Sequence, residues 1–398
     1  MLVRRLLRLT SMLIPVIGPA LGTALGLALT APARAHGPEM TTIDRLVAHT
    51  STVPAVKGRK VDLFVREKVP TPYVEGNPGS LEGKVVLFVH GGYSPATLAF
   101  DVQYRDYSWM EFLAYGGFDV FAMDMTGYGR SSRPMMDDPC NLDPRQQPLL
   151  VPRNLKAPCA NSYPFELVNS DSESDDIDAV VEFIRKLRKV DKVTLIGWSG
   201  GGIRTGTYLV RHPGKVDRHV IWASSNYSRA NPDAAPAEMP KPGTPMTIQV
   251  REVGVDKRWL SNVKCEDQVE PGMPEMIWAL NGEADRLASQ WGPGALRAPT
   301  RTYWGWNAKS VAKLKLPTLI MVGADDDLLK SNVALFEDHG AEKKLFLQVA
   351  CATHFMNWER QRKVLHRASL EWLTKGSIEG AERGRLEADA TGKIARKQ

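Results

Sequence analysis

The apolar positions of this chain fall into short continuous runs separated by amphipathic stretches. Residues 84–89 (KVVLFV), 118–123 (FDVFAM), 192–197 (KVTLIG), 216–223, 317–323 (PTLIMVG) and 344–349 (KLFLQV) are such runs. Apolar residues at both parities over so short a length predict strands buried on both faces, the habit of a parallel sheet. Helical periodicity fills the intervals, at about 102–115, 170–189, 200–211, 331–339 and 357–374. The second of these opens on the acidic cluster from Ser170 to Asp178 and ends on Arg185, Lys186, Arg188 and Lys189. Acids at the start and bases at the end complement the helix dipole, so this charge pattern has a structural reading. Residues 61–65 alternate and predict an early strand, 36–58 have no strong period, and 71–80 form a Pro/Gly-rich loop. The alternation predicts an α/β protein: a mostly parallel central sheet flanked by helices. Right-handed crossovers place the strand C-terminal ends along one edge, where such sheets bind ligands.

Two segments break the rhythm. Residues 132–170 are rich in Pro, Asn and Asp and read as a long irregular insertion in the first part of the core, 36–223. Residues 224–306 carry many Pro and Gly residues and Trp259, Trp278, Trp291, Trp304 and Trp306. Those rings are read first as packing, with pocket lining as the alternative. Residues 307–375 resume the pattern as the second part of the core. Residues 376–398, charged and Gly/Ala-rich, are expected to form a loose tail.

The N-terminus changes the picture of the whole chain. Arg4, Arg5 and Arg8 precede an apolar run to about Leu29, and Ala33-Arg34-Ala35 follows. This is the pattern of a secretory signal cleaved after Ala35, so residues 1–35 are expected to be absent from the mature protein. An uncleaved membrane anchor is the alternative. The segment holds four arginines and no acid, and removing it lowers the formal net charge from +6 to +2. So small a balance gives no reason to propose nucleic acid as a partner. No later stretch is apolar enough to span a bilayer, so no stable membrane insertion is expected after cleavage. Export to periplasm or medium means an oxidising compartment, and the even set Cys140, Cys159, Cys265 and Cys351 then predicts two disulfides. Cys140 and Cys159 flank one polar stretch and form the favoured pair, which leaves Cys265 with Cys351. Free buried thiols are the alternative. No cysteine has zinc-type spacing, and no metal site is expected.

Candidate chemistry sits at predicted strand ends. Gly197-Trp198-Ser199-Gly200-Gly201 lies between a strand and a helix, where a sharp turn lifts the serine above the sheet and glycines relieve the crowding. A serine hydroxyl needs a base. His354 follows the last predicted strand; of the other histidines only His90 has a comparable position, and it reads as a loop-organising residue. The base needs a carboxylate to fix its tautomer. Asp325, Asp326 and Asp327 all follow the strand 317–323, whereas Ser224-Ser225-Asn226 after 216–223 offers no acid. Acyl transfer also needs donors for an oxyanion. The N–H of Gly200 is one candidate, and Gly92 or Tyr93, in His90-Gly91-Gly92-Tyr93, supplies the other.

The motifs His90-Gly91-Gly92, Asp124-x-x-Gly127-x-Gly129-x-Ser131, Gly197-x-Ser199-x-Gly201, Gly323-x-x-Asp326 and His354-Phe355 together resemble the α/β-hydrolase superfamily, in its order, over nearly the whole mature chain. The family pattern selects Asp326 among the three aspartates. The resemblance implies an α/β-hydrolase fold, a cap inserted at 224–306, and a Ser199–His354–Asp326 serine hydrolase. It implies a small-molecule carboxylic ester as substrate and no cofactor. Amide, thioester or carbon–carbon bond hydrolysis, and a catalytically silent binding protein, are the alternatives. The insertion at 132–170 departs from compact members of the family.

Overall fold

The structure is a computed structural model that describes residues 39–75, 81–163, 166–239, 245–292 and 296–397. The predicted signal segment, 1–35, lies outside the described residues. Among the described residues the central sheet has ten strands. They are β1 (Met40–Thr50), β2 (Lys60–Pro70), β3 (Val85–Val89), β4 (Asp119–Met123), β5 (Val193–Trp198), β6 (Val216–Trp222), β7 (Thr318–Gly323), β8 (Lys344–Val349), β9 (Gly384–Ala388) and β10 (Ile394–Arg396). Their spatial order is β1-β2-β4-β3-β5-β6-β7-β8-β9-β10. From β4 to β9 every neighbouring pair is parallel, and the antiparallel pairs lie at the two margins. The apolar runs read from the sequence are the middle strands. Val85–Val89, Asp119–Met123, Val193–Trp198 and Thr318–Gly323 are buried at every position, because helices cover both faces.

The helices that position the site are α1 (Ser170–Arg188), α2 (Gly200–Arg211), α3 (Met273–Ala284), α4 (Leu329–Asp338) and α5 (Arg362–Lys375). Asn169 caps α1 by accepting from the backbone N–H groups of Asp171 and Ser172, with Ser172 returning the bond to Asn169 N–H. Of the predicted helix at 102–115 only Trp109–Tyr115 is helical; another short helix, Ala96–Phe100, precedes it, and Asp101, accepting from Ser108 Oγ, closes the loop between them.

Two terminal expectations are corrected. Residues 36–58, which carry no strong period, include β1, paired with β2 over its whole length. Only Val47 of that strand is buried, and Leu46 is 63% exposed, so a margin strand leaves no apolar stripe to read. Residues 376–398 are not a loose tail. Through residue 397 they carry β9, parallel to β8, and β10, and they bury Ile378, Ala381, Leu386, Ala388 and Ile394. Backbone pairing to β8 orders a segment whose composition alone is that of a solvated end.

The two segments that break the rhythm pack together. Met246–Gln249 pairs antiparallel with Leu296–Pro299, and Leu142 bridges to Met246. Met136, Leu142, Leu150, Tyr163, Met246, Ile248 and Trp291 belong to one small core, separate from the main one. Both expected disulfide pairs are bonded: Cys140–Cys159 beside that small core and Cys265–Cys351 between the 224–306 segment and the end of β8. The tryptophans are packing residues in the main. Trp259 lies against Phe355 and Trp358, Trp306 is fully buried against Gly206, and Trp304 is buried with its indole N–H on Asp171.

Candidate active site

Ser199 sits between β5 and α2 with φ 53° and ψ −118°, a backbone conformation that costs an L residue energy and persists only where its surroundings impose it. Its N–H donates to Trp222 O and its carbonyl accepts from Ser225 N–H, so β6 and the loop after it hold the turn in place. Glycine is required around it. A Cβ on Gly201 would lie 1.9 Å from Val89 O, one on Gly197 2.5 Å from Gly201 O, and one on Gly91 2.8 Å from Ser199 Cβ. The loop after β3 is thus pressed against the serine.

That loop is held from behind. Arg204, one turn into α2, is fully buried and donates to His90 O (2.6 Å) and Gly91 O (3.0 Å). His90 Nδ1 bonds the same Gly91 carbonyl at 2.6 Å, and its Nε2 accepts from Met125 N–H. Burial first, and the Arg204 charge second, push the His90 imidazole well below the usual histidine range. A neutral ring with its proton on Nδ1 satisfies both bonds. Gly91 C=O and Gly92 N–H belong to one planar trans peptide, so pinning the carbonyl toward Arg204 aims the Gly92 N–H the opposite way. Gly92 N lies 3.5 Å from where a Cβ on Gly200 would stand, which brings the two candidate oxyanion donors together. Tyr93 follows with φ 66° and reaches Thr247 Oγ1 at 2.8 Å, a link to the 224–306 segment.

The loop after β4 is organised by its own motif. Asp124 is buried, accepts from the N–H groups of Ala96 and Arg130, and is pushed up to about 6 by burial. Ser131 Oγ donates to Asp124 O and accepts from Phe64 N–H. These residues support the neighbouring loops.

Asp326 lies in the turn after β7 and His354 in the loop after β8. His354 Nδ1 is 3.0 Å from Asp326 Oδ2, and Asp326 Oδ1 accepts from Leu328 N–H at 2.9 Å. Burial works to raise the Asp326 carboxyl, but the His354 imidazole and the Leu328 N–H outweigh it and hold it below the usual aspartate range. Asp325 and Asp327 are both raised, by burial first and, for Asp327, by the adjacent Asp326. The His354 loop is fastened on the far side by Glu359, which accepts from Thr353 N–H, Thr353 Oγ1, Trp259 Nε1 and Gln268 Nε2, and by the Cys265–Cys351 bond.

The geometry brings His354 onto Asp326 and Gly92 onto Gly200. Among the described residues no hydrogen bond joins His354 to Ser199 Oγ. Those two are neighbours through Trp198, whose indole Nε1 donates to His354 O at 3.2 Å and whose ring is 5.8 Å from the imidazole. Two further charged groups reach this place without a signal in the sequence. Glu173 of α1 accepts from Arg204 Nε at 2.8 Å, and Arg301 bonds the same carboxyl oxygen at 3.4 Å. The acidic start of α1 therefore supplies more than a dipole partner. An open cavity of about 580 Å³ lined by Arg66, Asp101, Arg130 and Leu287, among others, lies elsewhere and includes none of the candidate residues.

Residues 84–361 match the family model described as alpha/beta hydrolase fold. The AB hydrolase superfamily protein YisY of Bacillus subtilis (strain 168) is 22% identical over 294 residues, 71% of this chain and 89% of the relative. A thermophilic esterase from Thermogutta terrifontis, solved with malate bound, has a TM-score of 0.50 at 18% identity, over 83% of this chain and 98% of that one. A 2-hydroxy-6-oxo-6-phenylhexa-2,4-dienoate hydrolase from Rhodococcus sp. strain RHA1 has a TM-score of 0.50 at 14% identity, over 84% and 99%. With more than half of its length in the family match, this chain belongs to the α/β-hydrolase fold family and is an enzyme of that family.

Proposed function

We propose that this enzyme hydrolyses carboxylic esters through a Ser199 acyl-enzyme. The observation that carries the reading is the strained Ser199 turn, pressed by Gly91 and facing the edge that also holds the His354–Asp326 pair. Ser199 Oγ attacks the ester carbonyl as His354 Nε2 takes its proton, and Asp326 holds the imidazole by Nδ1 and stabilises the imidazolium. The N–H groups of Gly200 and Gly92 hold the developing oxyanion, the latter preset by Arg204 and His90. The alcohol leaves with the proton from His354. Water, deprotonated by the same imidazole, then attacks the acyl-enzyme and releases the acid and free Ser199. Residues 224–306, joined to the 132–170 insertion through their shared small core, act as the cap that shapes substrate entry.

The test is a series of p-nitrophenyl esters of rising acyl length, run on wild type and Ser199→Ala. Turnover that falls by several orders of magnitude in the variant supports the reading. Wild-type enzyme that is inert to the whole series while a fluorophosphonate still labels Ser199 moves the substrate class to amides or carbon–carbon bonds. Absence of labelling removes Ser199 as nucleophile. Export is part of the same reading: two disulfides fit an oxidising compartment. N-terminal sequencing of the secreted protein checks it, with a start at residue 36 expected and one at Met1 excluding cleavage.

A further inference from the structure

The residue after the nucleophile carries an unusual neighbour. A Cβ on Gly200 would stand 3.1 Å from both Nη1 and Nη2 of Arg301, so the guanidinium packs directly against this glycine. Arg301 arrives from the 224–306 segment, 102 positions along the chain from Ser199. Its charge is poorly matched. The single hydrogen bond it makes among the described residues is the 3.4 Å contact to Glu173 Oε1, an oxygen already bonded by Arg204 Nε at 2.8 Å. One carboxylate thus serves two guanidiniums, which leaves the pair with net positive charge. The nearby Glu166, bonded to Thr302, does not cancel it fully, because burial pushes that carboxyl up to about 7. The Arg301 side chain is 12% exposed, and Nε and Nη2 have no protein acceptor among the described residues. The Tyr303 ring lies under the guanidinium at 4.9 Å, and its buried hydroxyl also has no partner among the described residues. A planar fork of donors, backed by an aromatic ring and left unfilled beside a reacting centre, is the form in which proteins recognise carboxylates.

We infer that Arg301, beside the Gly92 and Gly200 amides, is a carboxylate-binding residue, and that the natural substrate is an ester whose acyl part bears a carboxylate close to the scissile carbonyl. The inference rests on the serine-esterase reading above. Arg301 binds the anionic acyl group, Tyr303 Oη donates to the same group, and Arg204 stays committed to the loop carbonyls. A neutral ester of the same shape lacks the charged contact and is the poorer substrate.

The experiment compares monoethyl succinate with ethyl 4-methylpentanoate, in which an isopropyl group replaces the carboxylate, at constant ionic strength, reading ethanol release by wild type, Arg301→Gln and Arg301→Lys. The kcat/KM ratio of hemiester to neutral ester is expected to fall roughly 10- to 100-fold in Arg301→Gln, with Arg301→Lys between. An unmoved ratio, with both esters slowed alike, overturns the inference and makes Arg301 an oxyanion or packing group. A second readout needs no variant and no turnover: succinate is expected to slow fluorophosphonate labelling of wild-type Ser199 more than succinamide does, and equal protection overturns the inference. If Ser199→Ala hydrolyses both esters at the wild-type rate, the nucleophile reading fails and this subsite falls with it. That result is distinct from an unmoved ratio in an enzyme that depends on Ser199.

Discussion

Asp326→Asn separates a charge-and-tautomer role from simple packing. The aspartate is buried, and its two oxygens have two donors: His354 Nδ1–H at 3.0 Å and Leu328 N–H at 2.9 Å. An asparagine has one oxygen and one NH2, so it satisfies one donor and opposes the other. If the oxygen turns to Leu328, the NH2 faces Nδ1 and forces the proton onto Nε2, where it can no longer be received from Ser199. If the oxygen turns to His354, the half-buried Leu328 N–H loses its acceptor, at about 1 kcal/mol of stability, and the imidazolium loses its counter-charge. Loss of the orienting carboxylate in such a triad costs about 10⁴ in kcat, or ~5 kcal/mol of transition-state stabilisation. We expect a fall of about 10³–10⁴ in kcat for p-nitrophenyl acetate at pH 7.5, with KM changed little. Asp325→Asn and Asp327→Asn are expected to stay within about tenfold of wild type, since neither oxygen set meets His354. The Asp326 carboxyl is held below its ordinary value, so its contribution to stability is complete above the unfolded aspartate range and is lost as pH falls through the folded value. The asparagine variant should lack that acid-limb loss in urea melts taken from pH 5 downward. Activity of Asp326→Asn within tenfold of wild type, or a larger loss in Asp327→Asn, would show that Asp326 is not the carboxylate that orients His354.

Other expectations follow from the same contacts. Cys265–Cys351 closes 86 residues and Cys140–Cys159 closes 19, so replacing the first pair by alanine should cost about 1 kcal/mol more, out of roughly 3–5, in urea unfolding; the reverse order would show that the loops are already ordered when unfolded. Gly201→Ala puts a methyl on Val89 O, and it should unfold the elbow or leave the protein insoluble, whereas Gly214→Ala, with open space at its Cβ, should express and melt like wild type. Asp176 is buried and pushed up to about 7 by that burial, while its Oδ2 accepts from Thr126 N–H. A raised carboxyl means that the native state holds the proton the unfolded chain releases near pH 4, so stability falls as pH rises from about 4 to 7. Asp176→Asn keeps an acceptor for Thr126 and should flatten that decline; an unchanged slope would place the pH dependence elsewhere.

The features legible in the order of residues are local. The middle strands, β3 to β8, stand out because burial on both faces demands continuous apolar runs, and such a demand is written at consecutive positions. The Ser199 turn and the His90-Gly91-Gly92 loop are legible for a similar reason: a strained or crowded backbone must be met by glycine at fixed offsets. Composition does not separate the three adjacent aspartates; the family spacing after Gly323 selects Asp326, and the turn after β7 is what puts its Oδ2 on His354. Tertiary structure alone decided the rest. β1 and β9 exist because a neighbouring strand offers unpaired backbone groups, and hydrogen bonds to backbone leave little trace in side-chain pattern. The merging of residues 132–170 with 224–306 into one small core, where Leu142 bridges to Met246, and the arrival of Arg301 beside Gly200 and Glu173 depend on contacts between positions a hundred or more residues apart. No periodicity connects such positions; the charge beside the nucleophile is set by how the segments pack.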